Sequence, residues 1–169
     1  NRALVIRESA SGGEHPDIAR TLGYLAQAHE GAQRWDDADT FARRAYAVAV
    51  SSLGEQHSTT AEAAAARSRI SAMRQDFDTA LEFAEKTLAI YDAIGAGPLE
   101  RGSAHAALAV ALCRPPDFCA RSPLLRARAM EAVDTGRRLL VEAGPMGEGP
   151  LDALEAWVTN LDPGPTERP

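Results

Sequence analysis

Apolar side chains recur along this chain at intervals of three and four residues. Ile18, Leu22, Leu25, Ala26 and His29 fall on one face of a helical wheel, and Ala38, Phe41, Ala42, Ala45, Tyr46 and Val48 form a second such stripe. No stretch alternates apolar and polar residues for long enough to suggest a half-buried strand. The spacing predicts helices over 16–31, 36–52, 58–74, 77–94, 99–113, 123–144 and 151–161. Pro16 suits a first helical position, where its missing N–H costs nothing, and Asp17 complements the positive end of the helix dipole. Gly54 and Gly95 are placed to stop helices where the chain must turn left-handed, and Gly144 to close the one that begins near Pro123.

The stripes repeat. Arg2-Ala3-Leu4-Val5-Ile6-Arg7 aligns with Arg44-Ala45-Tyr46-Ala47-Val48-Ala49, and that with Lys86-Thr87-Leu88-Ala89-Ile90-Tyr91, each time at an offset of forty-two residues. Trp35, Ala38, Phe41 and Ala42 return at the same offset as Phe77, Ala80, Phe83 and Ala84. Gly13-Glu14-His15 is matched loosely by Gly54-Glu55-Gln56-His57. Unrelated helices have no reason to keep such a register, so the chain reads as helical hairpins, each burying its apolar face against the next. Ala26, Ala38 and Ala45, and again Ser68, Ala80 and Thr87, mark where helices must approach closely; Trp35 and Phe77 fill the larger gaps.

One repeat domain is expected over 1–162. It comprises a partial helix over 1–11, repeats over about 15–54, 57–95 and 99–144, and a capping helix over 151–161. The third repeat is interrupted by Arg114-Pro115-Pro116-Asp117-Phe118-Cys119, a loop because adjacent prolines cannot continue a helix. Residues 163–169, opening on Pro163-Gly164-Pro165, read as a disordered tail. The chain begins at Asn1 inside what reads as a helix, so a segment upstream is expected.

Composition agrees with an all-α domain. Alanine supplies about a fifth of the 169 residues, while Val, Ile and Thr are sparse. The net charge of −6 and the mixing of both signs along the chain argue against nucleic acid, which requires a concentrated basic face. No apolar run approaches a membrane span and no secretory leader is present, so a cytoplasmic protein is expected. Cys113 and Cys119, the only two cysteines, form neither a redox motif nor a zinc site, and reduced thiols are the favoured reading over a disulfide. Lys86 is the single lysine among eighteen basic residues, a bias that hints at a GC-rich bacterial genome.

Gly13-Glu14-His15-Pro16-Asp17, followed by Ala19, Leu22, Leu25-Ala26, Trp35, Ala38 and Arg44-Ala45, resembles the 42-residue tetratricopeptide repeats of kinesin light chain. In the second repeat Arg67 stands where the pattern has Leu, implying either a locally exposed helix or a buried ion pair, with exposure favoured. The arginine- and alanine-rich repeats ending in Glu155-Ala156-Trp157 are also similar to the C-terminal regions of myxobacterial serine/threonine protein kinases. No Gly-rich nucleotide loop, His-Arg-Asp loop or Asp-Phe-Gly motif is present, so kinase chemistry would lie outside this chain. The resemblance implies a right-handed α-α superhelix whose concave face, lined by the first helix of each hairpin, receives a protein or peptide from another chain or from its own. Carried over by position, that face comprises Arg20, Tyr24, Gln27 and Glu30, then Glu62, Ala66 and Arg69, then Ala106, Val110 and Arg114. The asparagine that often holds the ligand backbone in such repeats is replaced here by Tyr24, Ala66 and Ala107, which favours an apolar or intramolecular contact.

No catalytic constellation emerges, and no cofactor or metal is expected. His15 and His57 stand at helix starts, where capping or packing accounts for them better than metal binding. His29 reads as a packed residue, and His105 and Cys113 lack activating partners. Trp157 reads as a cap over the open end of the helix stack, with a partner anchor as the alternative. The leading expectation is a non-catalytic protein-interaction scaffold in a larger bacterial signalling protein. A structural spacer or oligomerisation arm is the alternative, and an enzyme of unrecognised type is the third.

Overall fold

The computed structural model describes residues 2, 4, 15–113 and 122–161. They form seven α-helices and one short 3-10 turn, with no strand among the described residues. Two compact units, Asn1–Ala96 and Gly97–Pro169, divide the chain. The first holds α1 (Pro16–Gly31), α2 (Trp35–Leu53), α3 (Ser58–Met73) and α4 (Phe77–Ala93). The second holds α5 (Pro98–Leu112), α6 (Pro123–Glu142), the 3-10 turn Gly144–Gly147 and α7 (Glu148–Leu161).

In the first unit α1 pairs with α2 and α3 with α4, and α3 lies against both helices of the preceding hairpin. All six small residues singled out by the repeat are buried: Ala26, Ala38 and Ala45 with Ser68, Ala80 and Thr87. Their size lets the helices close in, and Ser68 uses the proximity to donate its hydroxyl to the Ala80 carbonyl at 2.8 Å. Trp35 and Phe77 occupy equivalent places, each opening the second helix of its hairpin and each half-buried. Leu4, described as helical, joins a core with Ile18, Leu22, Ala45, Val48, Ala49 and Ala63.

The hairpin turns repeat as faithfully as the core. After α1, Gln33 adopts φ 57° and the Arg34 amide donates back to the His29 carbonyl at 2.9 Å; after α3, Gln75 adopts φ 65° and the Asp76 amide donates to Ser71 at 2.9 Å. Gly95 closes α4 in the same manner, with the Ala96 amide on the Tyr91 carbonyl. These six-to-one bonds satisfy carbonyls that a helix end would otherwise leave bare. Only the glycine advertised its turn in the sequence, because glutamine is not a usual left-handed residue. At the other ends, His15 and His57 cap α1 and α3: each Nδ1 accepts a backbone N–H two residues on, from Asp17 at 3.2 Å and Thr59 at 3.1 Å.

In the second unit α5 and α6 meet at two glycines. A Cβ on Gly102 would fall 2.9 Å from the Leu140 side chain, and one on Gly136 would fall 3.2 Å from the Gly102 carbonyl. The expected break between α6 and the last helix is smaller than the sequence suggested. Pro145 lies in the 3-10 turn and Pro150 in the first turn of α7, positions where a missing N–H leaves no bond unmade. The last helix therefore starts at Glu148. Trp157 is half-buried against the core of Ala109, Ala132, Val133, Leu140 and Leu154. Arg137 on α6 holds Glu155 on α7 through Nε at 2.6 Å and Nη2 at 3.0 Å.

The reading of reduced thiols needs correction. Cys113 is disulfide-bonded and wholly buried where α5 ends. The chain's one other cysteine, Cys119, lies outside the described residues, as do the remainder of the inserted segment and the tail. Spacing rules for redox and zinc motifs do not address a structural disulfide.

Candidate functional site

Arg20, Tyr24 and Gln27 lie four and three residues apart, so one face of α1 presents all three, and each is exposed. Glu62, Ala66 and Arg69 occupy the matching positions of α3; Glu62 and Arg69 are exposed and Ala66 is half-buried. Because α1 and α3 touch, the two rows form one strip. Tyr24, 66% exposed, is its one large aromatic.

Charge on the strip is partly self-neutralised. Glu30 on α1 accepts from Arg69 Nε at 2.9 Å and Nη2 at 2.8 Å, a two-pronged pairing across hairpins. Arg20 stands 3.5 Å from Asp17, one turn back on its own helix. The structure thus brings Glu30 and Arg69 together and leaves Tyr24 and Gln27 facing solvent. Ala106 is half-buried and packs against the core of Ala109, Ala132, Val133, Leu140 and Leu154. Val110 is half-buried, and Arg114 lies outside the described residues.

A second cluster, which the sequence reading did not anticipate, joins α2, α3 and α4. Asp39 is buried to 7% exposure and accepts from Arg43 at 3.0 Å and from Arg74 at 2.8 Å, while its Oδ1 has no hydrogen-bond partner. Arg74 also reaches Asp36 at 3.0 Å. Among the described residues Arg67 makes no ion pair, and it is only part-exposed, so neither reading of that position is met in full. It is half-buried, with its guanidinium 3.8 Å from the Phe83 ring centre and 5.9 Å from that of Tyr46. The two rings meet edge to face. Lys86 Nζ stands 4.7 Å from the same Phe83 ring and bonds to Glu82 at 2.6 Å. Burial, then the neighbouring Arg43 charge, pulls the Arg67 guanidinium below its usual pKa, partly offset by Asp39, Glu82 and Tyr46. The bond to Glu82 outweighs desolvation and raises Lys86.

His29 packs its ring 5.1 Å from Phe41, as a core residue does, with Asp37 at 3.6 Å. Among the described residues no three His, Cys, Asp or Glu side chains gather as a metal site, and no helix is long and apolar enough to cross a membrane. Residues 25–93 match a family model of the tetratricopeptide repeat, spanning the second half of α1 through the end of α4. A comparison with curated proteins finds no match.

Proposed function

We propose, from the tetratricopeptide match over 25–93, that the chain is a non-catalytic scaffold binding a protein or peptide along the exposed strip of α1 and α3. Repeats of this kind generally mediate protein–protein interaction. The observation that carries the reading is Tyr24: a wet aromatic between Arg20 and Gln27, where neighbouring charges have already paired. An apolar or aromatic anchor of the partner fits that environment better than a strongly charged one. The arginine-rich composition and the similarity of Glu155-Ala156-Trp157 to myxobacterial kinase C-terminal regions favour a recruitment role in a larger bacterial signalling protein.

Selection of a random-peptide library on the chain tests the site. Binding should weaken at least tenfold in Tyr24→Ala or Arg20→Glu and persist in Arg138→Ala, at an exposed position of α6. Peptides indifferent to both strip variants refute the proposed face. Arg69→Glu is not a clean probe, because it would set two carboxylates against each other at Glu30.

A second reading, an oligomerisation arm, draws on Leu124, Val141 and Met146, all strongly exposed in the second unit. It requires a concentration-dependent dimer in sedimentation that Val141→Glu dissolves and Tyr24→Ala leaves intact.

A further inference from the structure

The last helix is held to its unit by one apolar ridge and one two-pronged ion pair. Among the fourteen residues of α7 only Leu154 is fully buried; Leu151, Trp157 and Val158 are half-buried against the same core. These four recur at helical spacing, so α7 lies as an amphipathic helix on a surface that α5 and α6, packed directly on each other at Gly102 and Gly136, already form. Its register is set by Arg137 on α6, which donates to Glu155 through Nε and Nη2, with both side chains part-exposed. Nothing in that contact requires α6 and α7 to belong to one molecule.

The turn between them is what makes the contact internal. Gly144 adopts φ 65° and precedes Pro145, whose ring disfavours helical backbone in the residue before it. Gly147 lies so close to the Leu140 carbonyl that a Cβ there would collide with backbone, so the closed turn depends on its missing side chain. Beside this turn Val141 and Met146 are large apolar residues left strongly exposed. Opened out, the four residues of the turn span at most about 14 Å, so α7 reaches a second copy only if the two turns pass close together. Val141 and Met146 would then meet their counterparts across the two-fold axis and lose their exposure.

We propose that α7 is exchanged between two copies of this chain, each α5–α6 surface receiving the other copy's α7, with Arg137 of one copy pairing with Glu155 of the other. The closed monomer is the second state of the same equilibrium. The exchange gives the oligomerisation reading its contact and rests on that reading; it is independent of the Tyr24 strip.

The test mixes two variants of the whole chain. Arg137→Glu sets two carboxylates against each other between α6 and α7, and Glu155→Arg sets two guanidiniums. A pair made of one copy of each restores opposite charges at both places only if α7 crosses. Sedimentation of the equimolar mixture should show the mixed dimer in at least tenfold excess over either like dimer, with a Tm above that of each variant alone. Gly147→Ala, which blocks the closed turn and leaves the contacting residues of α6 and α7 unchanged, should raise the dimer fraction at concentrations where the parent chain is mostly monomeric. It carries the test should either charge variant fail to fold. A mixture that stays monomeric overturns the exchange and the oligomerisation reading with it. Dimers that show no preference for unlike copies, yet dissolve in Val141→Glu, overturn the exchange and leave the oligomerisation reading standing. A Gly147→Ala chain that remains monomeric, with fast hydrogen exchange throughout α7, overturns it too and leaves the α5–α6 surface to a helix of another protein.

Discussion

Removing Arg74 should destabilise the first unit more than its position at the end of α3 suggests. Its guanidinium is one of two partners of Asp39, whose side chain is only 10% exposed, and the other partner, Arg43, is largely in solvent. Arg74→Met preserves the apolar stem but leaves a buried carboxylate held from one side, with Oδ1 still unserved. Losing one member of a fully buried pair costs about 3–5 kcal/mol. Arg74 is about a third exposed, so water replaces part of what it supplies, and roughly 1.5–3 kcal/mol is the reasonable figure here. For a unit of this size that corresponds to a fall in Tm of about 8–15 °C. The bond to Asp36 contributes little, since that carboxylate is 93% exposed. The decisive measurement is a double-mutant cycle by urea denaturation. Asp39→Ala removes the buried charge itself, so Asp39→Ala/Arg74→Met should be more stable than Arg74→Met alone. If the two losses simply add, or if Arg74→Met lies within about 0.5 kcal/mol of the parent, Asp39 does not depend on Arg74 and the reasoning fails.

Three further outcomes follow from the same structure. His57→Ala should cost about 0.5–2 kcal/mol by removing the acceptor that caps α3, whereas His57→Asn should retain most of it; thermal melts of the pair decide. Gly102→Val should destabilise the second unit by roughly 1–3 kcal/mol, because its first added carbon already meets Leu140, with Gly31→Val, where no atom lies within 4 Å, as the comparison for sterics. The hydrogen bond from Arg137 holds Glu155 below its usual carboxylate pKa. A depressed folded-state pKa means that this stabilisation is present above the unfolded carboxylate's range and is lost as pH falls through the lower, folded value. Unfolding of α7 on acidification, followed by Trp157 fluorescence, should therefore lose part of its pH dependence in Glu155→Gln; an unchanged profile contradicts the assignment.

Much of the architecture was legible because it is written in short-range periods. Ile18, Leu22 and Ala26 recur at the helical interval, and Ala26, Ala38 and Ala45 recur as Ser68, Ala80 and Thr87, so stripe and close approach can both be counted along the chain. Pro16 marked the start of α1 as observed, and His15 and His57 could be recognised as belonging to helix starts. The left-handed turns at Gln33 and Gln75 were not legible, since their conformation is imposed by the hairpin closing around them. Nor was the extent of α7, whose prolines are tolerated only because of where the first turn happens to begin.

The amino-acid order by itself determined the all-helical class, the hairpin register and the residues that stay dry, because those follow from spacing within one or two turns. Tertiary structure alone decided that Arg69 meets Glu30, that Arg74 reaches Asp39, and that Arg67 lies across Phe83 instead of in solvent. Each of these contacts joins different helices, two of them across neighbouring hairpins. A long charged side chain has no local preference among such partners, and only the packed distance between helices selects one.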